Sequence, residues 1–193
     1  MRATAVATAH FVRRHPAAHA PRRRSPPPVD VRWATADDAR AIHTLVGEHV
    51  IEGHLLPRTL DDVTAHAARF IVAVDGRRVV ACADLAPLNG TSAEIRSLVV
   101  ADGFRARGIG RRLLEGLKDR ATIAGFDRVC AFTHSPSYFL KFGFSIVPHA
   151  WVPEKIAADC RSCAQFRQCG QYAVMLPLVR SRSACVPLAA LHG

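Results

Sequence analysis

Glu94-Ile95-Arg96-Ser97-Leu98-Val99-Val100-Ala101-Asp102-Gly103-Phe104-Arg105-Ala106-Arg107-Gly108-Ile109-Gly110-Arg111-Arg112 runs from a strand through a glycine-bearing turn directly into a helix. Glu94 to Val100 is apolar and β-branched enough for a strand. From Gly108 to about Ala124, Ile109, Leu113, Leu114, Leu117 and Ala121 recur on one helical face, and the other face is charged. Gly108 and Gly110 let backbone N–H groups come close to an anion, while the helix N-terminus adds unpaired donors and the positive end of its dipole. Such a turn holds a pyrophosphate, and Arg105, Arg107, Arg111 and Arg112 add attraction around it. Taken alone, two glycines fit a tight turn with solvated arginines equally well. A P-loop is excluded because no Gly-Lys-Ser/Thr ending follows, and the Rossmann fingerprint has a different glycine spacing.

On either side of this segment, helical and strand periods alternate, which predicts a mixed α/β domain. Val31 to Trp33 reads as a strand and Thr35 as a helix N-cap, with Asp37 and Asp38 in the first turn. Ile42, Leu45, Val46 and Val50 follow at helical spacing until Gly53, and a second short helix fits Leu60 to Ala68. Asp75-Gly76 joins Phe70–Val74 and Arg78–Leu85 as a hairpin. Further on, Arg128–Thr133, Phe144–Val147 and Tyr172–Leu176 read as strands and Ser137–Phe142 as a short helix.

The chain has 193 residues and a net charge of +10, which alone would suggest a nucleic-acid binder. The charge sits at the ends. Of the 26 Lys and Arg, six fall in residues 1–29 and two in 180–193, leaving 18 in the body against all 16 acids. Residues 1–29 are therefore expected to be a basic tail or leader, 30–179 the folded domain and 180–193 a second tail. No run reaches the 18 or more apolar residues of a membrane span, and six cysteines are too few and too unevenly spread for a disulfide framework. A reducing, cytoplasmic setting follows, with no membrane partner and no nucleic-acid footprint on the body.

Arg105-x-x-Gly108-x-Gly110 after a strand resembles the acetyl-CoA-binding motif of the GNAT acetyltransferases, and Tyr138-Phe139-Leu140-Lys141-Phe142-Gly143-Phe144 resembles their later motif. The order of elements matches from Val31 to Leu178. The resemblance implies a GNAT fold, with a mixed central sheet flanked by helices in a single domain, and acetyl-CoA as co-substrate. It implies Arg105, Ala106, Arg107, Gly108, Ile109, Gly110 and Arg111 at the cofactor phosphates. The pantetheine arm would then pair with the backbone of Leu98, Val99 and Val100 as an added strand.

Leu55-Leu56-Pro57-Arg58-Thr59-Leu60, Ala93-Glu94-Ile95-Arg96-Ser97-Leu98, Val129-Cys130-Ala131-Phe132-Thr133 and Pro153-Glu154-Lys155-Ile156, the last leading into Asp159-Cys160-x-x-Cys163-x-x-Phe166-x-x-Cys169, carry a narrower resemblance. They resemble the amino-acid N-acetyltransferases, the N-acetylglutamate synthase group in its short form, with Gly170-Gln171 where an acidic pair is expected. That implies acetylation of an amino acid, foremost L-glutamate, a step of arginine biosynthesis; a homodimer is compatible with it. Another small amine or a protein N-terminus is the alternative acceptor.

Acyl transfer from a thioester to an amine requires the amine to lose a proton, so a carboxylate is wanted at the reacting centre. Glu94, at the start of the cofactor strand, is the candidate; its bland alternative is a surface glutamate at a strand end. Strict alternation would put Ser97 on the opposite face from Glu94. The family's β-bulge in this strand would let both reach the site. Resemblance further implies that Arg58 pairs with a substrate carboxylate, that Ser97 and Thr133 line the site, and that Thr133 helps proton transfer to the leaving thiolate. A second guanidinium for a dicarboxylic substrate falls to Arg167 or Arg161. Where many GNATs place an acidic tyrosine this chain has Phe139, and Tyr138 stands one residue off register.

Cys160, Cys163 and Cys169 could ligate zinc if a fourth ligand came from elsewhere. On that spacing and the basic tails rests the rival from another class, a zinc-dependent nucleic-acid-binding module.

Overall fold

The computed structural model describes residues 29–50, 55–163 and 166–178. Its strands are β1 (Asp30–Trp33), β2 (Phe70–Asp75), β3 (Arg78–Pro87), β4 (Ser92–Val100), β5 (Arg128–Thr133), β6 (Ser145–Val147) and β7 (Tyr172–Pro177). They form one sheet in the order β1-β2-β3-β4-β5-β7-β6. The hairpin closes at Gly76, whose φ of +60° suits a residue without Cβ, and Asp75 pairs with Arg78. All neighbours are antiparallel except β4 and β5, which run parallel. The mixed sheet flanked by helices agrees with the expected fold.

The helices are α1 (Ala39–Val50), α2 (Leu60–Ala65), α3 (Ile109–Ile123), α4 (Pro136–Leu140) and α5 (Pro153–Ala158). Ile109, Leu113, Leu114 and Leu117 of α3 are all at most 2% exposed and pack with Ile71, Ala73, Val80, Ala81 and Ile95 of the sheet. Burial of each such side chain contributes about 1.5–3 kcal/mol, which fixes the helix over the sheet. Ile42, Leu45 and Val46 of α1 and Val63 of α2 cover the opposite face with Phe70, Val72 and Val99. The helix expected over Leu60–Ala68 breaks at His66 and continues as a 3-10 turn over Ala67–Arg69. The sequence reading passed over α5 altogether.

Of the expected tail at 1–29, only Val29 is described, and it is buried in the core under α3. Residues 1–28 and 180–193 lie outside the described residues. Among the described residues no helix is long and apolar enough to cross a membrane.

Candidate active site

β4 and β5 pair only over Ser92–Glu94 and Arg128–Cys130. Beyond that the two strands part, and the backbone of β4 from Ile95 onward has no strand partner on this side among the described residues. The gap opens into a cleft of ≈ 1170 Å³ that runs from Leu55–Arg58 past β4 and the N-terminus of α3 to α4 and α5. An unpaired strand edge inside a cleft is a row of backbone donors and acceptors ready for an extended ligand.

A bulge decides which β4 side chains face which way. Asp84 of β3 sits opposite Arg96 and Cys82 opposite Val99, so Ser97 and Leu98 share Ala83. Ser97 takes φ +50°, a strained value for a non-glycine residue, and its carbonyl accepts a hydrogen bond from the buried Cys82 thiol at 3.6 Å. The extra residue flips the alternation: Ala93 and Ile95 before it and Leu98 and Val100 after it all pack toward α3. Glu94 and Ser97 both line the cleft, as the bulge was expected to allow.

Glu94 is buried to 3% exposure, which rules out a surface glutamate. Its Oε2 accepts from Lys155 Nζ at 2.8 Å, and the same ammonium donates to Asp159 Oδ2 at 2.6 Å. Burial pushes the Glu94 carboxyl above the usual carboxylate range, although Lys155 and Arg96 pull against that rise. Burial also works against the Lys155 ammonium, but Glu94 and Asp159 outweigh it and hold it above the usual lysine value.

Beside this pair lies a knot of arginines around Asp84, which is fully buried. Arg69 donates to both its oxygens at 3.2 Å, Arg58 Nη1 reaches it at 3.4 Å and Arg96 Nη2 at 3.5 Å. Arg58 Nε also donates to Asp62 at 2.6 Å. Arg96 comes within 3.6 Å of Asp159 and 3.9 Å of Glu94, yet its Nε is buried without a hydrogen-bond partner. The wall is therefore dipolar, with guanidinium groups around Asp84 at one end and carboxylates around Lys155 at the other. That pattern suits a zwitterion carrying a carboxylate.

The glycine-bearing turn follows β4. Gly108 caps α3 with φ +75°, leaving the first N–H groups of the helix without intrahelical partners. Gly110 packs closely under α4: a Cβ there would meet the Tyr138 hydroxyl at 2.6 Å, so that side chain would have to shift.

Comparison with known proteins fits this geometry. The family described as Acetyltransferase (GNAT) domain matches residues 66–146. An uncharacterized N-acetyltransferase of Chlorobaculum tepidum is 32% identical over 148 residues, covering 77% of this chain and 96% of that protein. The chain belongs to the GNAT N-acetyltransferases. Among solved structures, N-acetylglutamate synthase of Neisseria gonorrhoeae, complexed with coenzyme A and N-acetyl-glutamate, superposes with a TM-score of 0.72 at 25% identity. The match covers 81% of this chain but 36% of the synthase, so this GNAT chain spans about a third of that protein. Rv2747 of Mycobacterium tuberculosis, solved with CoA, shares the fold at TM-score 0.69 and 23% identity over 78% of this chain and 99% of its own.

This GNAT acetyltransferase gathers most of the residues expected from its sequence into one cleft: Arg58, Glu94, Ser97, Leu98, Val99, Val100, Arg105, Ala106, Gly108, Ile109, Gly110, Arg111 and Thr133. Thr133 Oγ1 accepts from the Ser135 N–H at 3.0 Å, which fixes the turn into α4. Arg107 does not line the cleft; its guanidinium lies over the Phe104 ring at 4.9 Å. Arg112 is also turned away, donating to the Val29 carbonyl at 2.9 Å, because its place one turn into α3 faces the start of β1. Arg111 lines the cleft but pairs with Glu115 at 2.8 Å, in solvent. Tyr138 lines the cleft, its hydroxyl buried and unbonded beneath Gly110. The Arg167 side chain lies outside the described residues.

Cys160, Cys163 and Cys169 stand at the cleft mouth, and among the described residues no group of His, Cys, Asp or Glu could hold a metal ion. Burial raises the Cys160 thiol, so it is no activated nucleophile. Sequence reasoning missed Lys155, Asp159 and Arg96, which line the cleft, and Asp84, which pairs with its arginines. Asp84 carried a signal, being the one acid inside the apolar run Val79–Leu85.

Proposed function

We propose that this chain acetylates the α-amino group of an amino acid, with L-glutamate as the acceptor, in the manner of an N-acetylglutamate synthase of arginine biosynthesis. One observation carries the reading: a buried glutamate and an arginine knot face the same cleft where β4 leaves β5. Acetyl-CoA supplies the thioester whose C–S bond breaks as the C–N bond of the amide forms. The N-terminus of α3 and Arg105 hold its phosphates, and the free edge of Leu98–Val100 pairs with the pantetheine amides. Arg58 takes the acceptor's α-carboxylate, and Arg96, with its unbonded Nε, takes the side-chain carboxylate. Glu94 receives the proton that the ammonium must lose before its nitrogen can attack. The Thr133 hydroxyl donates toward the departing thiolate. The free cysteines at 82, 130, 160, 163 and 169 suit a reducing compartment such as the cytoplasm.

Calorimetric titration of L-glutamate into protein saturated with CoA tests the acceptor. Saturable binding that Arg58→Ala weakens about tenfold to a hundredfold is expected, the loss of one charge-assisted contact. Binding of spermidine or a peptide N-terminus in place of glutamate would overturn the amino-acid reading.

The phosphate assignment has its own check. Gly110→Ala should weaken CoA binding about threefold to tenfold, because the Tyr138 hydroxyl that the new Cβ meets must shift and disturb the turn beside it. The double variant Gly110→Ala with Tyr138→Phe should recover most of the affinity, since the ring carbon beneath that hydroxyl would stand 3.5 Å from the Cβ. Unchanged affinity in Gly110→Ala contradicts the steric coupling of Tyr138 to the loop.

A further inference from the structure

Lys155 is a buried cation to which neither cofactor nor acceptor binding gives a task. It is 7% exposed, and its ammonium is shared between Glu94 and Asp159. Pro153 starts α5, and the i, i+4 spacing places Lys155 and Asp159 on one side of it, so a single helical turn brings both to Glu94. Nζ also lies 5.6 Å from the centroid of the Phe132 ring on β5. A lysine held this way is fixed from three directions.

A carboxylate as buried as Glu94 tends to take up a proton and fall silent as a base, unless a cation offsets its lost hydration. Among the described residues, four groups face it. Arg96 on β4 is 3.9 Å away, but Asp84 of β3 and Asp159 compete for that guanidinium. Cys130, its register partner on β5, is a neutral thiol that burial and then Glu94 hold up at about 12. Asp159 carries a like charge. Only Lys155 is both cationic and hydrogen-bonded to Glu94.

Resting on the reading of Glu94 as base, we propose that Lys155 is a positioning residue that keeps Glu94 ionised and aimed into the cleft, while Asp159 sets how much of the ammonium's charge Glu94 receives. Lys155 touches neither substrate and acts through Glu94. The two α5 groups therefore act on Glu94 with opposite sign. Loss of Lys155 makes Glu94 easier to protonate. Loss of the Asp159 charge removes a repulsion and leaves Lys155 with Glu94 as its one carboxylate partner, so Glu94 becomes harder to protonate.

The experiment is the pH profile of kcat/KM for the full chain, with acetyl-CoA and the amine from an amino-acid and polyamine panel that it acetylates fastest. Lys155→Met should move the acid limb up by about one to three pH units, the usual effect of one close opposite charge. Lys155→Arg, which keeps the cation, should bring the limb back toward wild type. Asp159→Asn should move it down. A packing defect in α5 would lower the rate at every pH, or shift both variants the same way. Either of those results, or a limb fixed in both variants, overturns the proposal. Should Lys155→Met fail to fold, Asp159→Asn decides alone, since Asp159 is over a third exposed and its loss strands no charge; an unmoved or raised limb is then the contrary result. Glu94→Gln separates the two readings. A wild-type limb persisting in Glu94→Gln sinks the base and with it the role of Lys155, whereas a limb lost there but unmoved in the α5 variants sinks Lys155 alone.

Discussion

Glu94→Gln is expected to lower kcat by about 10²–10⁴-fold, the range for removal of a general base, while leaving CoA affinity within about twofold. The side chain lies where β4 is still paired with β5, whereas the proposed cofactor contacts begin at Leu98, beyond that pairing. Glutamine matches glutamate in shape and still accepts from Lys155, which keeps Asp159 as an anionic partner. The fold should therefore survive, and the loss should fall on turnover. The pH dependence carries the sign of the Glu94 environment. Burial raises its carboxyl, so wild-type activity should fall on acidification at higher pH than for an ordinary glutamate, and this limb should be flat in Glu94→Gln. Steady-state kinetics over pH, with fluorescence titration of CoA, check both halves. An unchanged kcat removes Glu94 from the chemistry.

Asp84→Asn is expected to be the most destabilising single change around the cleft. Asp84 is fully buried, and its carboxylate holds Arg58 from the loop before α2, Arg69 from the turn before β2 and Arg96 from β4. Neutralising it leaves three guanidinium groups crowded around an amide. Removing one partner from a buried ion cluster costs about 3–5 kcal/mol. Arg69 and Arg96 are about a quarter exposed and hence partly screened, which favours the lower half of that range. For a chain of this size the unfolding midpoint should drop by roughly 6–15 °C. Arg58 and Arg96 would lose their aim at the same time, so KM for the acceptor should rise while KM for acetyl-CoA stays put. Thermal unfolding by circular dichroism reads the first effect, and a midpoint within about 1 °C of wild type contradicts the account of the knot.

The cofactor side of the cleft was legible because its signals are local. Periodicity placed α3 to within a residue, and a strand entering Arg105-x-x-Gly108-x-Gly110 named the loop. The individual arginines of that loop were less legible. Helical phase sends Arg112 to Val29 and cation–π packing takes Arg107 to Phe104, and neither depends on sequence spacing alone. The acceptor side depends on long-range packing. Lys155 and Asp159 look, in sequence, like a solvated i, i+4 pair on a short helix. They reach the cleft because α5 folds over the parting of β4 and β5 and brings Nζ to a carboxylate 61 positions away. The position of β7 between β5 and β6 was equally invisible to local pattern. Tyr138 shows the same limit: it stands one residue off the usual acid position, and its seat under Gly110 comes from where β6 and β7 hold α4.

On the proposal made above, this cleft moves an acetyl group from acetyl-CoA to the amine of an amino acid, with Glu94 as base. Its most direct test is mass spectrometry of the products formed by purified protein from ¹³C-acetyl-CoA and a mixture of free amino acids, polyamines and short peptides. Direct product detection avoids thiol reagents, which six cysteines would confound. Labelled N-acetyl-L-glutamate is expected as the dominant product, formed by wild type and lost in Glu94→Gln. Labelled product confined to polyamines or peptide N-termini would contradict the acceptor, and labelled N-acetyl-L-glutamate formed equally by Glu94→Gln would contradict the chemistry.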